Sequence, residues 1–591
     1  MRFISSQLTT KSRSSKKQIG SAHGATDPSP ELIEAWKKMH AEMVVSVRNH
    51  PSILMRSIND EAWFHYLPPR ALGRPPDRGA YFDSDRERRL RKWLIVSDVV
   101  KMTRRLDPTR PVGASGGYSR TAEEWKDLEP LGVDDGDFDN VHVFNGTYGP
   151  SYLALDVRRD IERRYSMGGR PLISDQAGTG YPDNDIGFVV DSYADRHRIT
   201  QAWIGDYIYD QRMPFLDVNG QIIKEGYEKI RREKGLTAGW MMFSNCQWFR
   251  DVWNARTIEP FPQIYDAAAR ALEPVLVSLE SPMRHFTAGD PFHSAVWVVH
   301  DDILRGRLSE LHVRWTWLDQ TGAQLGSGDT AMPDVDYYRT GKVAVLLEVP
   351  RRLPARTVRG KLRLELNSGR QRISWNEYPV FIADEQWSAP EPLQDARVVT
   401  AGPSSILSPE EVRKAVDSGK TVVFQNPPPE QAAALGFRAE LIHEHFKSSI
   451  WDTPDGPWGA EYVQLDRHHP LAAGLDPVYD MRWWNADGPG GPRVADVVLS
   501  SPDGKSGEFS VLGVRATAIC TYVAPHGYYN SPWDFLRLFF RPVVAEAKIG
   551  KGAVIVSTLR EAPDPIARRF RANLLRYAAY LQTTGDRTRY F

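Results

Sequence analysis

Short apolar segments alternate with amphipathic helical segments through the first half of the sequence. In residues 30–47, for example, Trp36, Met39, Met43 and Val47 recur at three- and four-residue steps, which is the period of a helix. The predicted strands are residues 53–58, 110–114, 139–145, 170–175 and 235–243, and the predicted helices are residues 30–47, 86–105, 152–165 and 190–209. This order is typical of a parallel sheet or barrel, in which the C-terminal ends of the strands form the functional edge.

Two carboxylates follow the first predicted strand. Asp60 and Glu61 come directly after the apolar run of residues 53–58, and Trp63 and Phe64 follow them. Apolar and aromatic neighbours raise the pKa of a carboxylic acid, which suits a general acid. Alternatively, the two carboxylates open the next helix and stabilise its N-terminus. The spacing alone leaves both interpretations open.

The run of residues 49–61 resembles the acid/base motif of glycoside hydrolase family 2, N-H-P-S-I-I-M-W-S-L-G-N-E. The match has no gap, and it implies that Glu61 is the catalytic acid/base of a (β/α)8 TIM barrel. Besides two exchanges between Ile and Leu, three residues depart from the motif: Arg56 replaces Trp, Asn59 replaces Gly, and Asp60 replaces the Asn that holds the sugar 2-hydroxyl.

The resemblance also implies a partial barrel. In the family, two sandwiches and three strand–helix units precede this motif, whereas here it begins near residue 49. We therefore expect either a fragment or an incomplete barrel. Unpaired strand edges invite association, so a homo-oligomer or a complementing N-terminal fragment is expected.

The second catalytic carboxylate of the family is a Glu in a motif like P-I-I-S-E-F-G. The corresponding run here, residues 170–178, has Asp175 at that position and one extra residue before Gly178. Three interpretations remain open. Asp175 is the nucleophile with the backbone adjusted by the extra residue, or the site holds a water and inverts, or the barrel binds sugar without hydrolysis. For the first we expect the carboxyl groups of Glu61 and Asp175 to face one cleft, within about 8 Å.

The resemblance assigns further residues to sugar binding, namely Asp60, His142, Tyr148 and Trp240. Trp240 has the alternative of being a simple core residue. Asp183 and Asp185 follow in a loop, where they either bind a hydroxyl or a cation or are simply solvated. The resemblance implies no organic cofactor and no metal ligand, and a structural or activating cation is left open.

The remaining sequence predicts two more domains. From residue 276 the apolar period changes to two, which indicates an immunoglobulin-like β-sandwich over residues 276–386. Residues 387–591 return to α/β alternation and loosely resemble a glutamine-amidotransferase-like domain, although no Gly-x-Cys-x-Gly nucleophile motif is present. We predict a disordered leader over residues 1–27 and the partial TIM-barrel catalytic domain over residues 28–275.

Composition excludes several classes of function. Lys plus Arg and Asp plus Glu both total 75, so no net charge favours nucleic acid, and no apolar run is long enough for a membrane span. The leader has no apolar segment after its basic residues, so we predict no secretory signal. The compartment stays open: cytoplasmic as the chain stands, secreted or periplasmic if it is truncated.

Taken together, the residues and the resemblance predict a glycoside hydrolase. It would cleave terminal β-glycosidic bonds of a glycoside, oligosaccharide or polysaccharide by a retaining mechanism. The alternative is a carbohydrate-binding or assembly protein with a degraded site, because both Asp60 and Asp175 depart from the family's residues.

Overall fold

The computed structural model describes the chain in segments. These are residues 29–58, 86–114, 122–142, 169–177, 212–235, 238–242, 249–250, 259–280, 283–389, 397–402, 405–441, 463–465, 467–476, 480, 495, 497–500, 509–524 and 539–584. The predicted leader and the predicted helices at residues 152–165 and 190–209 lie outside them.

The first part of the chain is α/β. Its helices are α1 (Pro30–Val47), α2 (Arg86–Leu106), α3 (Ala122–Leu128), α4 (Arg212–Arg232) and α5 (Pro262–Ala271). Its strands are β1 (Arg56–Ser57), β2 (Val112–Gly113), β3 (Asp139–His142), β4 (Leu172–Ala177), β5 (Gly239–Met242), β6 (Phe249–Arg250) and β7 (Glu259–Pro260). β1 pairs with β2, and β4 lies between β3 and β5, all in parallel; β6 and β7 pair antiparallel. The predicted parallel strands therefore form, with shorter ladders than the apolar runs.

Helix α1 begins at a capping residue, and helix α2 packs against strand β2. Ser29 caps α1, because its hydroxyl accepts a hydrogen bond from the Leu32 N–H at 3.3 Å. On α2, Val96, Val99 and Val100 are fully buried against Val112. Burial of this apolar stripe holds α2 on the strands.

Helix α4 was not among the predicted helices, although a signal was present. Ile223, Tyr227 and Ile230 are buried at steps of four and three residues. Gly220 lets α4 approach α5 closely, because a Cβ at this position would lie 2.3 Å from the carbonyl oxygen of Gln263.

The middle part is a β-sandwich. One sheet contains β8 (Val275–Glu280), β10 (Pro291–His300) and β15 (Thr340–Glu348). The other contains β9 (His285–Thr287), β12 (Leu311–Leu318), β13 (Gln324–Ala331), β16 (Thr357–Ser368) and β17 (Gln371–Ala383), and β11 (Arg307–Leu308) pairs with β14 (Val335–Asp336). Both sheets contribute alternate residues to one core, in which Trp317 and Phe292 are buried. The period-two pattern predicted four of these strands, β10, β12, β15 and β16, and the immunoglobulin-like topology stays a prediction.

The last part is a second α/β unit. Its strands are β18 (Val398–Ala401), β19 (Thr421–Gln425), β20 (Arg438–Leu441), β21 (Val463–Leu465), β22 (Val497–Ser500), β23 (Phe509–Val511), β24 (Val514–Ala524), β25 (Phe539–Ile549) and β26 (Gly552–Ser557). Its helices are α6 (Glu385–Ser388), α7 (Pro409–Asp417), α8 (Pro429–Ala434) and α9 (Pro565–Thr584). In the main sheet β18, β19 and β26 are parallel and β25, β24 and β21 continue antiparallel.

Successive residues of the parallel strands face opposite helical layers. Val423 and Ile555 belong to the core that contains α9, whereas Val422 and Val554 belong to the core that contains α7. Trp387 lies in α6 and is buried in the α9 core. The amidotransferase-like relationship of this unit stays a prediction.

A buried polar cluster joins α4 to the sandwich. The Glu228 carboxylate accepts hydrogen bonds from Tyr378 Oη at 2.5 Å, Ser278 Oγ at 2.8 Å and Asn376 Nδ2 at 2.9 Å, and Lys224 Nζ lies 2.7 Å away. Burial alone would raise the pKa of Glu228. The charge and hydrogen bond of Lys224, followed by the hydrogen bonds of Tyr378 and Asn376, outweigh this effect and lower the pKa below its usual value. The carboxylate is therefore charged and fully satisfied at the junction.

Candidate active site

The described strands bring three of the predicted site residues to neighbouring positions. Asp175 lies in β4, the central strand, between Ser174 and Gln176. Ser174 is paired with Trp240 on β5, and Gln176 is paired with His142 on β3. The backbones of His142, Asp175 and Trp240 thus lie at neighbouring register positions on three parallel strands.

Strand β4 has one extra residue at this point, and both neighbours show it. Between its pairs with Val141 and His142, which are consecutive on β3, β4 advances two residues, from Ser174 to Gln176. On the other side, Ser174 pairs with Trp240 and Ala177 pairs with Met242. Between these two pairs β4 therefore advances three residues, whereas β5 advances two. The surplus residue forms a bulge at Asp175 and Gln176, a feature that redirects side chains and is common beside active sites.

The strand continues past the position expected from the sequence. We predicted that it would end at Asp175, but β4 extends to Ala177. Asp175 is therefore inside the strand and at its bulge rather than at its last residue. The ladder continues because the bulge absorbs the extra residue and lets pairing resume at Ala177.

The other predicted site residues lie outside the described residues. They are Asp60, Glu61 and Tyr148, together with Asp183 and Asp185. β1 ends at Ser57, four positions before Glu61, and runs parallel to β2. The separation of the carboxyl groups of Glu61 and Asp175 stays a prediction.

The opposite edge of the strands carries arginine–aspartate pairs. Just before β4, Arg170 Nη1 donates to Asp135 Oδ1 at 2.9 Å, and its Nη2 pairs with Asp139. At the end of α2, Arg104 Nη1 donates to Asp137 Oδ2 at 2.9 Å, and the same oxygen accepts the N–H of Val112 at 2.8 Å. Such pairs at the N-terminal edge of parallel strands stabilise the fold. The acidic run of residues 134–139 was the signal, but its partners could not be known from the sequence.

Arg56, the first departure from the motif, has a structural partner. Its side chain is fully buried and donates to Asp107 Oδ2 from Nη2 at 2.7 Å and from Nε at 3.1 Å. Burial alone would raise the pKa of Asp107, but hydrogen bonds from Thr109 and Arg56 lower it to about 2. Arg56 therefore ties β1 to the C-terminal end of α2.

His40 on α1 is buried beside this pair. Burial and, to a smaller extent, the positive charge of Arg56 together lower the pKa of His40 to about 4. The Thr103 hydroxyl donates to the Val99 carbonyl at 2.7 Å, so it accepts from His40 Nε2, 3.0 Å away. His40 is thus neutral near pH 7, with its proton on Nε2.

Within the described segments, no group of three His, Cys, Asp or Glu side chains is arranged to hold a metal ion. Over the same segments, no helix combines the length and apolarity needed to cross a membrane.

Some solved structures of glycosidases are similar to part of this chain. A β-D-mannosidase from Dictyoglomus thermophilum aligns with 60% of this chain and 41% of its own, at 16% identity and a TM-score of 0.37. An exo-chitosanase from Amycolatopsis orientalis aligns with 60% of this chain and 39% of its own, at 14% identity and a TM-score of 0.35. A glycosyl hydrolase family 2 member from Bacteroides cellulosilyticus aligns with 59% of this chain and 36% of its own, at 14% identity and a TM-score of 0.25. The chain thus spans about two fifths of the length of these proteins.

Neither a protein-family model nor a curated protein matches the sequence.

Proposed function

We propose that this chain is a glycoside hydrolase of the family-2 type, which cleaves terminal β-glycosidic bonds with retention of configuration. The observation that carries the proposal is the bulge of β4 at Asp175, between the strand positions of His142 and Trp240. A bulge at this position accounts for the extra residue that separates residues 170–178 from the family motif.

The bulge favours Asp175 as the nucleophile. An Asp side chain is one methylene shorter than Glu, and a misplacement of about 1 Å can cost on the order of 100-fold in rate. If the extra residue of the bulge moves the backbone of Asp175 towards the sugar, this displacement can offset the shorter side chain. A retaining mechanism needs its two carboxyl groups only about 5–5.5 Å apart.

In the proposed reaction, Glu61 protonates the glycosidic oxygen while the Asp175 carboxylate attacks the anomeric carbon. The bond to the leaving group breaks as the bond to Asp175 forms. Glu61 then takes a proton from water, which displaces Asp175 and releases the sugar. Asp60, His142, Tyr148 and Trp240 would contact the sugar hydroxyls and ring.

The second candidate is a carbohydrate-binding or assembly protein that has lost hydrolysis. Two departures in the motifs favour it: Asp60 replaces the Asn that holds the sugar 2-hydroxyl, and Asp175 replaces the nucleophilic Glu. In this case the bulge would be a structural feature of the sheet alone.

Turnover of a panel of nitrophenyl β-glycosides separates the two candidates. We expect hydrolysis by the wild type, loss with Asp175→Ala, and partial recovery with azide, which enters the space of the missing carboxylate and gives an inverted glycosyl azide. Glu61→Ala should slow substrates with poor leaving groups more than activated ones, because its task is protonation.

The matched control is Asp139→Ala, which removes a carboxylate from the opposite edge of the same strands. Any activity that this variant loses should not return with azide. If the wild type binds sugar but hydrolyses no glycoside, the proposal fails and the binding protein is the better description.

A further inference from the structure

A pocket in the last α/β unit lies at the C-terminal ends of two parallel strands. Gln425 is the last residue of β19 and Ser557 is the last residue of β26, and both line a cavity of about 400 Å³. The Asn426 N–H donates to the Ser557 carbonyl at 2.6 Å, which holds the two strand ends together. Crevices at the carboxyl ends of parallel strands are the usual ligand sites of open α/β sheets.

The two strand ends place buried polar groups in the wall of this pocket. Gln425 and Ser557 continue the rows of Val423 and Ile555, which pack against α9. Their relative exposures are 7% and 3%, and both residues line the cavity. Buried amide and hydroxyl groups cost free energy unless they find partners, so the pair is suited to a ligand that supplies them.

Three arginines and one glutamate line the pocket, and each arginine has an interaction partner. Arg571 Nη1 at the rim lies 2.6 Å from Glu561 Oε1, and both side chains are about half exposed. Arg568 donates from Nη1 to Glu385 at 3.0 Å, and its Nε has no partner among the described residues. A phosphate would need uncompensated cations, so this arrangement suits a ligand without a dense negative charge.

The apolar part of the wall complements these polar groups. Leu559, Phe570 and Leu574 line the same cavity. Its volume lies at the lower end of the roughly 300–1,000 Å³ typical of small-molecule sites. A sugar ring presents hydroxyl groups that both donate and accept, which matches an amide and a hydroxyl, and C–H surface that matches apolar side chains.

We propose that this pocket binds a monosaccharide-sized polyhydroxy compound, separately from any site in the barrel. Gln425 and Ser557 bind its hydroxyl groups, and the Arg571–Glu561 pair at the rim contacts the exposed end. The inference does not rest on the proposed glycosidase activity, because it uses only residues of the last α/β unit.

Calorimetric titration of the full chain tests the proposal, with D-glucose, D-galactose, D-glucuronate and inorganic phosphate as probes. We expect at least one of the sugars to bind and phosphate not to bind. Hydrogen exchange on the same complex should show protection in residues 557–571, which gives the location without any substitution.

Variants of the pocket give a second, independent measurement. Gln425→Leu and Ser557→Ala should each weaken sugar binding about tenfold, through the loss of one hydrogen bond. Ala562→Trp fills the cavity from a partly buried position and should abolish binding. Ser418→Ala, just before β19 at the opposite edge of the sheet, is the matched control and should bind normally.

The Asp175→Asn variant distinguishes this pocket from the barrel. Binding that persists in Asp175→Asn, is weakened about tenfold in Gln425→Leu and is lost in Ala562→Trp supports the proposal. Three results would overturn it: no sugar binds, phosphate binds in preference to sugars, or binding is unaffected by Gln425→Leu and Ala562→Trp. Loss of glycoside hydrolysis with normal binding in this pocket would count only against the glycosidase proposal.

Discussion

Arg56 and Asp107 form a buried ion pair between β1 and the end of α2, with Nη2 of the arginine 2.7 Å from Oδ2 of the aspartate. The exposures of the two side chains are 0% and 3%. Arg110 Nη1 also lies 3.0 Å from the same carboxylate oxygen. The arginine that departs from the family motif is therefore explained by an aspartate 51 positions further along the chain.

Removal of Arg56 should destabilise the first α/β part strongly. Arg56→Met leaves Asp107 buried with less compensation, and loss of one partner of a buried pair typically costs about 3–5 kcal/mol. Arg56→Trp, which restores the family's residue, should cost a similar amount for the same reason. Hydrogen exchange in residues 86–114 and the urea midpoint measure both effects.

The control for this prediction is Arg372→Met, because Arg372 pairs with Glu365 in an exposed position of the sandwich. Its cost should stay below about 1 kcal/mol. If Asp107→Leu added to Arg56→Trp gives no recovery, the pair is not the reason for the arginine.

Local pattern was sufficient to predict some of the strands of this chain, but not their partners. The strand at Gly552–Ser557 and the helix at Pro409–Asp417 follow directly from apolar spacing and capping residues. The Arg56–Asp107 pair and the pocket at Gln425 and Ser557 depend on contacts between distant segments. No local pattern specifies such contacts, so sequence reasoning missed both.

For the candidate site, the sequence proposes residues, and these stay a prediction, but it does not specify the backbone that carries Asp175. The surplus residue before Gly178 was visible by comparison with the family motif. Only the pairing of β4 with both neighbours shows that the surplus falls at Asp175 and Gln176. A bulge is a property of register, and register is set by the whole sheet.

Acidification should destabilise the chain through His40. Its folded pKa of about 4 lies below the unfolded value of 6.5, so the unfolded state binds the proton first as the pH falls. The free energy of unfolding should therefore drop between pH 6.5 and 4, by on the order of 3 kcal/mol. Asp107 does not contribute in this range, because its stabilisation is lost only as the pH falls from 3.8 towards 2.

Urea unfolding at several pH values checks this expectation. His40→Gln keeps a donor for Thr103 but cannot titrate, so the slope of stability with pH should flatten. His312→Gln, at an exposed position of β12, should keep the wild-type slope. An unchanged slope in His40→Gln would contradict the assignment.

The junction between α4 and the sandwich should depend on the Tyr378 hydroxyl. Tyr378→Phe removes a donor to Glu228 and an acceptor for the Leu279 N–H, which lies 2.9 Å from Oη. Leaving a buried carboxylate and a buried N–H short of partners should cost about 1–3 kcal/mol. Tyr337→Phe, at an exposed position, should change the stability by less than about 0.5 kcal/mol. Equal urea midpoints for the two variants would show that the cluster does not stabilise the junction.

The bulge of β4 makes a coupled prediction for catalysis. If it offsets the short side chain of Asp175, then Asp175→Glu alone overshoots the anomeric carbon, and deletion of Gln176 alone withdraws the carboxylate. Each change should lower kcat/KM on a nitrophenyl glycoside by about 100-fold. The double variant restores both the reach and the spacing of the family motif, so it should recover most of the loss.

The wild type, the two single variants and the double variant form a double-mutant cycle. The prediction is tested by the coupling free energy between the two changes, not by the loss of activity in either single variant. Circular dichroism and the urea midpoint verify that the deletion leaves the sheet folded. Additive losses, or a gain from Asp175→Glu alone, would mean that the bulge does not compensate for the aspartate. A wild type that binds the glycoside without turnover, with all three variants binding equally well, would leave the bulge as a structural feature of a binding protein.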